Sequence, residues 1–156
     1  MAASLRDRID EFLAEKRIAF VGVSRKEHDF SRALFREFVN RGYDVAPVHP
    51  EADEIEGRKC APHVQDVSPP VAAVLVMTPR AASEQVVADC AEAGVRRVWL
   101  YKGGPGGAVS REAVAACNEK GIDVIPGYCP LMFFENAGLL HRFHGAVLKL
   151  FGRYPA

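Results

Sequence analysis

The sequence predicts an α/β domain built on an open, doubly wound parallel sheet of five strands. Three observations predict it. Five short apolar runs alternate with amphipathic runs of helical length between Ile18 and Ile125. The run Val71–Met77 (VAAVLVM) is apolar on both faces, as a strand covered by helices on both sides must be. Glycines follow the amphipathic runs, at Gly42, Gly94 and Gly121, where helices commonly end in a left-handed residue.

Ser4–Glu15 places Leu5, Ile9, Phe12 and Leu13 at helical spacing, with Ser4 and Asp7 spaced as a capping box. Ile18–Val23 is the first strand. Ser31–Arg41 is a helix with Leu34, Phe35, Phe38 and Val39 on its buried stripe and Ser31 at its start. Tyr43–Val48 is the second strand, ending at His49-Pro50. Residues 51–70 are polar and turn-rich, with one short strand or turn near Cys60. Val71–Met77 is the third strand, Arg80–Ala93 a helix, and Arg97–Tyr101 the fourth strand. The GGPGG run at 103–107 reads either as a close approach to a ligand or as a flexible turn, and glycine content alone does not choose between them. Ser110 caps a helix to Lys120, and Ile122–Ile125 is the fifth strand. Right-handed crossovers restrict the topology, and the order 3-2-1-4-5 puts the first strand at the point where ligands bind open α/β sheets.

With 156 residues, the chain reads as a single domain over 1–156, with an N-terminal helix in 1–16 and an amphipathic C-terminal helix in 135–156. On that last helix Leu139, Leu140, Phe143, Val147 and Leu150 share a face, expected to pack on the core or on a second subunit. Its His141 and His144 stand in H-x-x-H spacing but lack a closed ligand set, so no metal is expected. The formal net charge is zero, so bulk charge calls for neither nucleic acid nor an acidic membrane, and any anion site must be local. No apolar run reaches membrane-spanning length and the charged N-terminus is unlike a signal peptide. The four cysteines, Cys60, Cys90, Cys117 and Cys129, include no CxxC spacing and are expected as reduced thiols in a cytoplasmic protein.

The chemistry concentrates in IAFVGVSRKEHDFSR, Ile18–Arg32. A strand ends at Gly22, a polar basic loop follows, and a helix begins. Helix N-termini favour anions. Arg25, Lys26 and Arg32 add cationic groups that bind phosphate well. The second and third glycines of a G-x-G-x-x-G dinucleotide fingerprint are missing, and His49-Pro50 stands where an acidic residue would meet the ribose of NAD. All strand ends open on one edge: Gly22-Val23-Ser24-Arg25-Lys26, His49-Pro50, Thr78-Pro79, Tyr101-Lys102-Gly103 and Cys129-Pro130.

GVS followed seven positions later by Ser31, the V-x-P of Val48–Pro50, the V-x-x-x-TP of Val74–Pro79 and Tyr128-Cys129-Pro130 come in the order seen in small CoA-binding domain proteins. Over about residues 15–132 the chain resembles these and the N-terminal, Rossmann-like domain of the succinyl-CoA synthetase alpha subunit, and its tail HRFHGAVLKLFGRYP resembles the ending of some stand-alone members. The resemblance implies a CoA or acyl-CoA ligand. Gly22, Val23, Ser24, Arg25, Lys26, Ser31 and Arg32 would then hold its phosphates. His49 and Pro50 would lie along the nucleotide. Thr78 and Pro79 would meet the adenine or the start of the pantetheine arm, with Tyr101, Lys102, Gly103, Cys129 and Pro130 toward the thiol. The synthetase carries a lysine after its second-strand proline; this chain has Glu51, Ala52 and Asp53 there. The synthetase also needs a second domain with a phosphorylated histidine and an ATP-grasp partner, so ligase activity does not carry over.

The expected function is therefore binding of CoA or acyl-CoA without catalysis by the chain alone, with a second copy or an acyl-CoA enzyme as partner. Cys129 is the candidate nucleophile, or the site of a mixed disulfide with the CoA thiol, but no His–Asp arrangement accompanies it. Two other readings stay open: an NAD(P)-binding oxidoreductase-like protein, and an oligomerisation module with no small ligand.

Overall fold

The computed structural model describes residues 2–103 and 106–134. The expected C-terminal helix, with His141 and His144, and Gly104 lie outside the described residues.

Along the chain run α1 (Leu5–Ala14), β1 (Arg17–Val21), α2 (Phe30–Asn40), β2 (Asp44–Val48), β3 (Glu54–Ile55), β4 (Arg58–Lys59), β5 (Ala73–Val76), α3 (Arg80–Glu92), β6 (Arg97–Leu100), α4 (Arg111–Glu119) and β7 (Asp123–Pro126). The sequence-predicted elements that fall within the described residues are present, most of them shifted at their ends by a residue or two. The turn-rich stretch after β2 folds into a small antiparallel hairpin, β3–β4, closed by Glu56-Gly57 with both residues at positive φ. A 3₁₀ turn follows at Val64–Asp66.

Five strands pair in parallel in the order β2-β1-β5-β6-β7. Counted along the main sheet this is 2-1-3-4-5, not the expected 3-2-1-4-5. The reason lies in β2. Its sequence DVAPV contains Pro47, which has no N–H to give to a second neighbour, so β2 belongs at an edge. β5 (AVLV) is buried along its whole length and sits between β1 and β6. β1 pairs with β2 through Phe20 opposite Pro47, and with β5 through Phe20 opposite Leu75. The chain reverses direction across β1, so the switch point falls between β1 and β5.

Side chains alternate between two cores. Ile18, Phe20, Leu75, Trp99 and Ile125 face α1 and α2, where they meet Ile9, Phe12, Leu34, Phe35 and Phe38. Ala19, Val74, Val76, Val98 and Val124 face α3 and α4, meeting Val86, Val87, Cys90, Ala113 and Cys117. Phe12 meets Trp99 edge to face with ring centroids 5.3 Å apart. The Ser4–Asp7 capping box forms, with the Asp7 amide donating to Ser4 Oγ at 3.1 Å and the Ser4 amide to Asp7 Oδ2 at 3.0 Å. Ser110 caps α4 as expected, accepting from the Ala113 amide at 3.0 Å. The four cysteines are free and buried. No helix among the described residues is long and apolar enough to cross a membrane.

Candidate functional site

A cleft of about 910 Å³ opens along the carboxyl ends of β2, β1, β5 and β6. At about 4.8 Å between neighbouring strands, these ends span roughly 15 Å. The floor of the cleft is a close approach of two backbones. Gly22, at φ +92°, sits against the Met77–Thr78 peptide; a Cβ there would fall 2.6 Å from the Met77 carbonyl carbon. Only glycine combines that conformation with that contact.

The loop from β1 to α2 is ordered by its own short side chains. The Ser24 amide donates to Ser31 Oγ at 2.9 Å, and the Lys26 amide donates to Ser24 Oγ at 3.0 Å. Ser31 Oγ in turn donates to Asp29 Oδ1 at 2.7 Å, and the Ser31 amide donates to the same oxygen at 2.9 Å. The cap of α2 is therefore Asp29, not Ser31, which lies inside the first turn and joins cap to loop. The Ser31 hydroxyl and amide hold the Asp29 carboxyl below the usual carboxylate range. The anion at this helix end is the protein's own.

The three expected cations differ in what they meet. Arg32 leaves the cleft: its Nη2 lies 2.7 Å from Glu56 Oε1 at the tip of the β3–β4 hairpin, with the two side chains 12% and 22% exposed. Its Nη1 donates to the carbonyls of Ser24 at 3.3 Å and Arg25 at 3.2 Å, so Arg32 ties the loop to the hairpin. Arg36 joins it on Glu56 at 2.9 Å, and this bond, with Arg32, holds the Glu56 carboxyl low. Arg25 lies at the cleft mouth, 3.3 Å from Glu51, with both side chains mostly exposed. Lys26 lines the cleft near Asp29.

His49 closes the β2 side. Its Nδ1 accepts from the amides of Glu51 at 3.0 Å and Ala52 at 2.9 Å. That places the ring proton on Nε2, which makes this nitrogen a donor. Pro50, Thr78 and Pro79 also line the cleft, and Thr78 Oγ1 is 3.3 Å from the buried Ser83 hydroxyl.

Tyr101 ends the cleft on the β6 side. Its hydroxyl lies against Gly103, where an added Cβ would collide with it. Burial pushes the Tyr101 phenol up and the Cys129 thiol up to about 11. A protonated, buried thiol is a poor nucleophile. Gly103 packs on the Tyr101 side chain, while Lys102 is exposed and its amide donates to the Tyr128 carbonyl at 3.3 Å. Pro130 is buried and begins a 3₁₀ turn. Lys102, Gly103, Cys129 and Pro130 thus stand behind Tyr101 and do not line the cleft.

Of the sequence-predicted residues, the structure gathers Gly22, Val23, Ser24, Arg25, Lys26 and Ser31 on one wall, with His49, Pro50, Thr78, Pro79 and Tyr101 across from them. Sequence reasoning missed Asp29, Phe30 and the far wall: His63 and Val64 from the folded-back loop, and Ala82, Val86 and Asp89 on α3. The α3 residues recur at helical spacing, a signal present in the sequence; His63 and Val64 arrive by a long-range fold-back that leaves no local pattern. Among the described residues no group of three or more His, Cys, Asp or Glu side chains is placed to hold a metal.

The family described as the CoA binding domain matches residues 16–135, which span every strand and the whole cleft. The YneT protein of Bacillus subtilis is 29% identical over 114 residues, covering 73% of this chain and 82% of its own. An ADP-forming acetate–CoA ligase of Methanocaldococcus jannaschii is 26% identical over 89 residues, 57% of this chain but 13% of the ligase. The solved structure of a Pyrococcus horikoshii protein superposes with a TM-score of 0.75 at 28% identity, covering 83% of this chain and 88% of the other. The match over residues 16–135 takes in most of the sequence: the chain belongs to the CoA binding domain family.

Proposed function

We propose that this protein binds CoA or an acyl-CoA in the cleft at the β1–β5 switch point and performs no catalysis alone. The observation that carries this reading is the cleft itself: a groove along four strand ends, floored by Gly22 against Met77, with Arg25 and Lys26 at one end. The phosphates lie against Ser24, Arg25 and Lys26. The Asp29 carboxylate keeps them off the α2 N-terminus, so side-chain cations supply the attraction. His49 Nε2–H donates to the nucleotide, and Thr78 and Pro79 meet the start of the pantetheine arm. Arg32 positions the loop through Ser24 and Arg25 rather than touching phosphate. The match to the M. jannaschii enzyme covers 13% of that enzyme, so its ligase chemistry is not carried over from it. The four free thiols suit a reducing compartment such as the cytoplasm. A partner, whether a second copy or an acyl-CoA enzyme, would receive or supply the ligand.

Native mass spectrometry of freshly purified protein tests the reading. A retained mass equal to CoA or an acyl-CoA, or a single CoA added on titration, is the expected result. A retained NAD(P), or no adduct with any of these at millimolar ligand, overturns it.

A further inference from the structure

One end of the cleft is cationic and the other aromatic. Phe30 is the large apolar side chain among the described residues that stays exposed, at 41%, and it lines the cleft at the first position of α2. Its ring centroid lies 6.0 Å from that of Tyr101, at 38° between planes. Tyr101 packs its hydroxyl against Gly103, which does not line the cleft, while Tyr101 itself does. The two rings come from different parts of the sheet edge, the start of α2 and the end of β6, and meet where the cleft leaves the phosphate loop. The part of the Phe30 ring that stays exposed gains free energy when a ligand covers it.

We infer that Phe30 and Tyr101 form an aromatic subsite for the first acyl carbons of a CoA thioester. The inference rests on the CoA reading above and adds a ligand class. The charge layout selects an amphipathic ligand, with anionic groups against Arg25 and Lys26 and an apolar tail against the rings. The preferred ligands are thioesters of uncharged acyl groups. Free CoA leaves the rings wet, and a carboxyacyl group such as succinyl brings a charge onto an apolar wall.

Titration calorimetry with CoA, acetyl-CoA, hexanoyl-CoA and succinyl-CoA tests this on the wild type, Phe30→Ala and Phe30→Leu. Hexanoyl-CoA should bind about tenfold tighter than acetyl-CoA, the change expected from burying about two methylene groups. Succinyl-CoA should bind no tighter than acetyl-CoA. Phe30→Ala should reduce the hexanoyl preference to about twofold or less while CoA itself changes by less than about threefold, and Phe30→Leu should restore most of the preference. Equal binding of hexanoyl-CoA and acetyl-CoA by the wild type overturns the subsite, as does an equal loss of all four ligands in Phe30→Ala. Binding of none of the four overturns the CoA reading itself, and the subsite with it.

Discussion

Gly22 and Met77 come so close across the β1–β5 boundary that a Cβ on Gly22 would lie 2.6 Å from the Met77 carbonyl carbon and 2.8 Å from its oxygen. The contact joins the two strands between which the chain reverses, and it leaves the cleft floor as bare backbone. Gly22→Ala meets both a left-handed φ of +92° and this clash. It should lower stability by about 2–4 kcal/mol, read as a drop in the denaturant midpoint. CoA binding should fall even at temperatures where the variant remains folded.

Asp29 has two separable roles, as helix cap and as a negative charge in the cleft. Asp29→Ala should destabilise by about 1 kcal/mol, the usual effect of losing a cap. Asp29→Asn keeps a capping oxygen, so stability should change little, while CoA binds about threefold tighter once the like charge is gone. Asp29 and Glu56 both have folded-state pKa values below their ordinary ones. Their contributions are thus complete above about pH 4–4.5 and are lost as pH falls through the lowered values. Thermal melts from pH 6 to pH 2 should show this loss in the wild type, with a smaller loss in Asp29→Asn.

Under the proposed CoA reading, Glu51 competes with ligand phosphate for Arg25. The pair is 3.3 Å apart with side chains 63% and 67% exposed, so its contribution to stability is small. Glu51→Gln should leave the melting temperature within about a degree and tighten CoA binding about two- to fivefold. In an Arg25→Ala background the same substitution should have no effect on affinity. A gain that persists without Arg25 would place Glu51's influence elsewhere.

Cys129 should be unreactive in the folded protein. Burial pushes its thiol up to about 11, and it lies behind Tyr101. Alkylation with iodoacetamide at pH 8 should leave it unmodified for hours, whereas the unfolded chain should take up four labels, one per cysteine. Incubation with oxidised CoA should give no mixed disulfide. Rapid modification of Cys129 alone would restore it as the reactive group at the thiol end of the cleft.

Much of the sheet is legible in the sequence, because alternating apolar runs and glycine stops mark each element. Strand order was misjudged although the signal was present: Pro47 inside the second strand marks an edge, and an order that buries β2 between two neighbours conflicts with it. The switch-point loop was legible as basic and glycine-led. What its cations do was not, because Arg32 is claimed by Glu56, 24 positions away on a hairpin whose docking no local pattern encodes. Ser31 and Asp29 are both good caps by residue type, and only the geometry of the Ser24–Ser31–Asp29 chain assigns the cap to Asp29. Phe30 is not legible as a cleft residue because the sequence predicts the helix from Ser31, which leaves Phe30 in the loop before it.

Titration calorimetry of the wild type with CoA, dephospho-CoA and NAD tests the central claim most directly. The proposed phosphate contacts from Arg25 and Lys26 predict one CoA per chain, with dephospho-CoA about tenfold weaker and NAD weaker still. Tighter binding of NAD than of CoA, or equal binding of CoA and dephospho-CoA, would contradict the assignment of the basic loop to the phosphates of CoA.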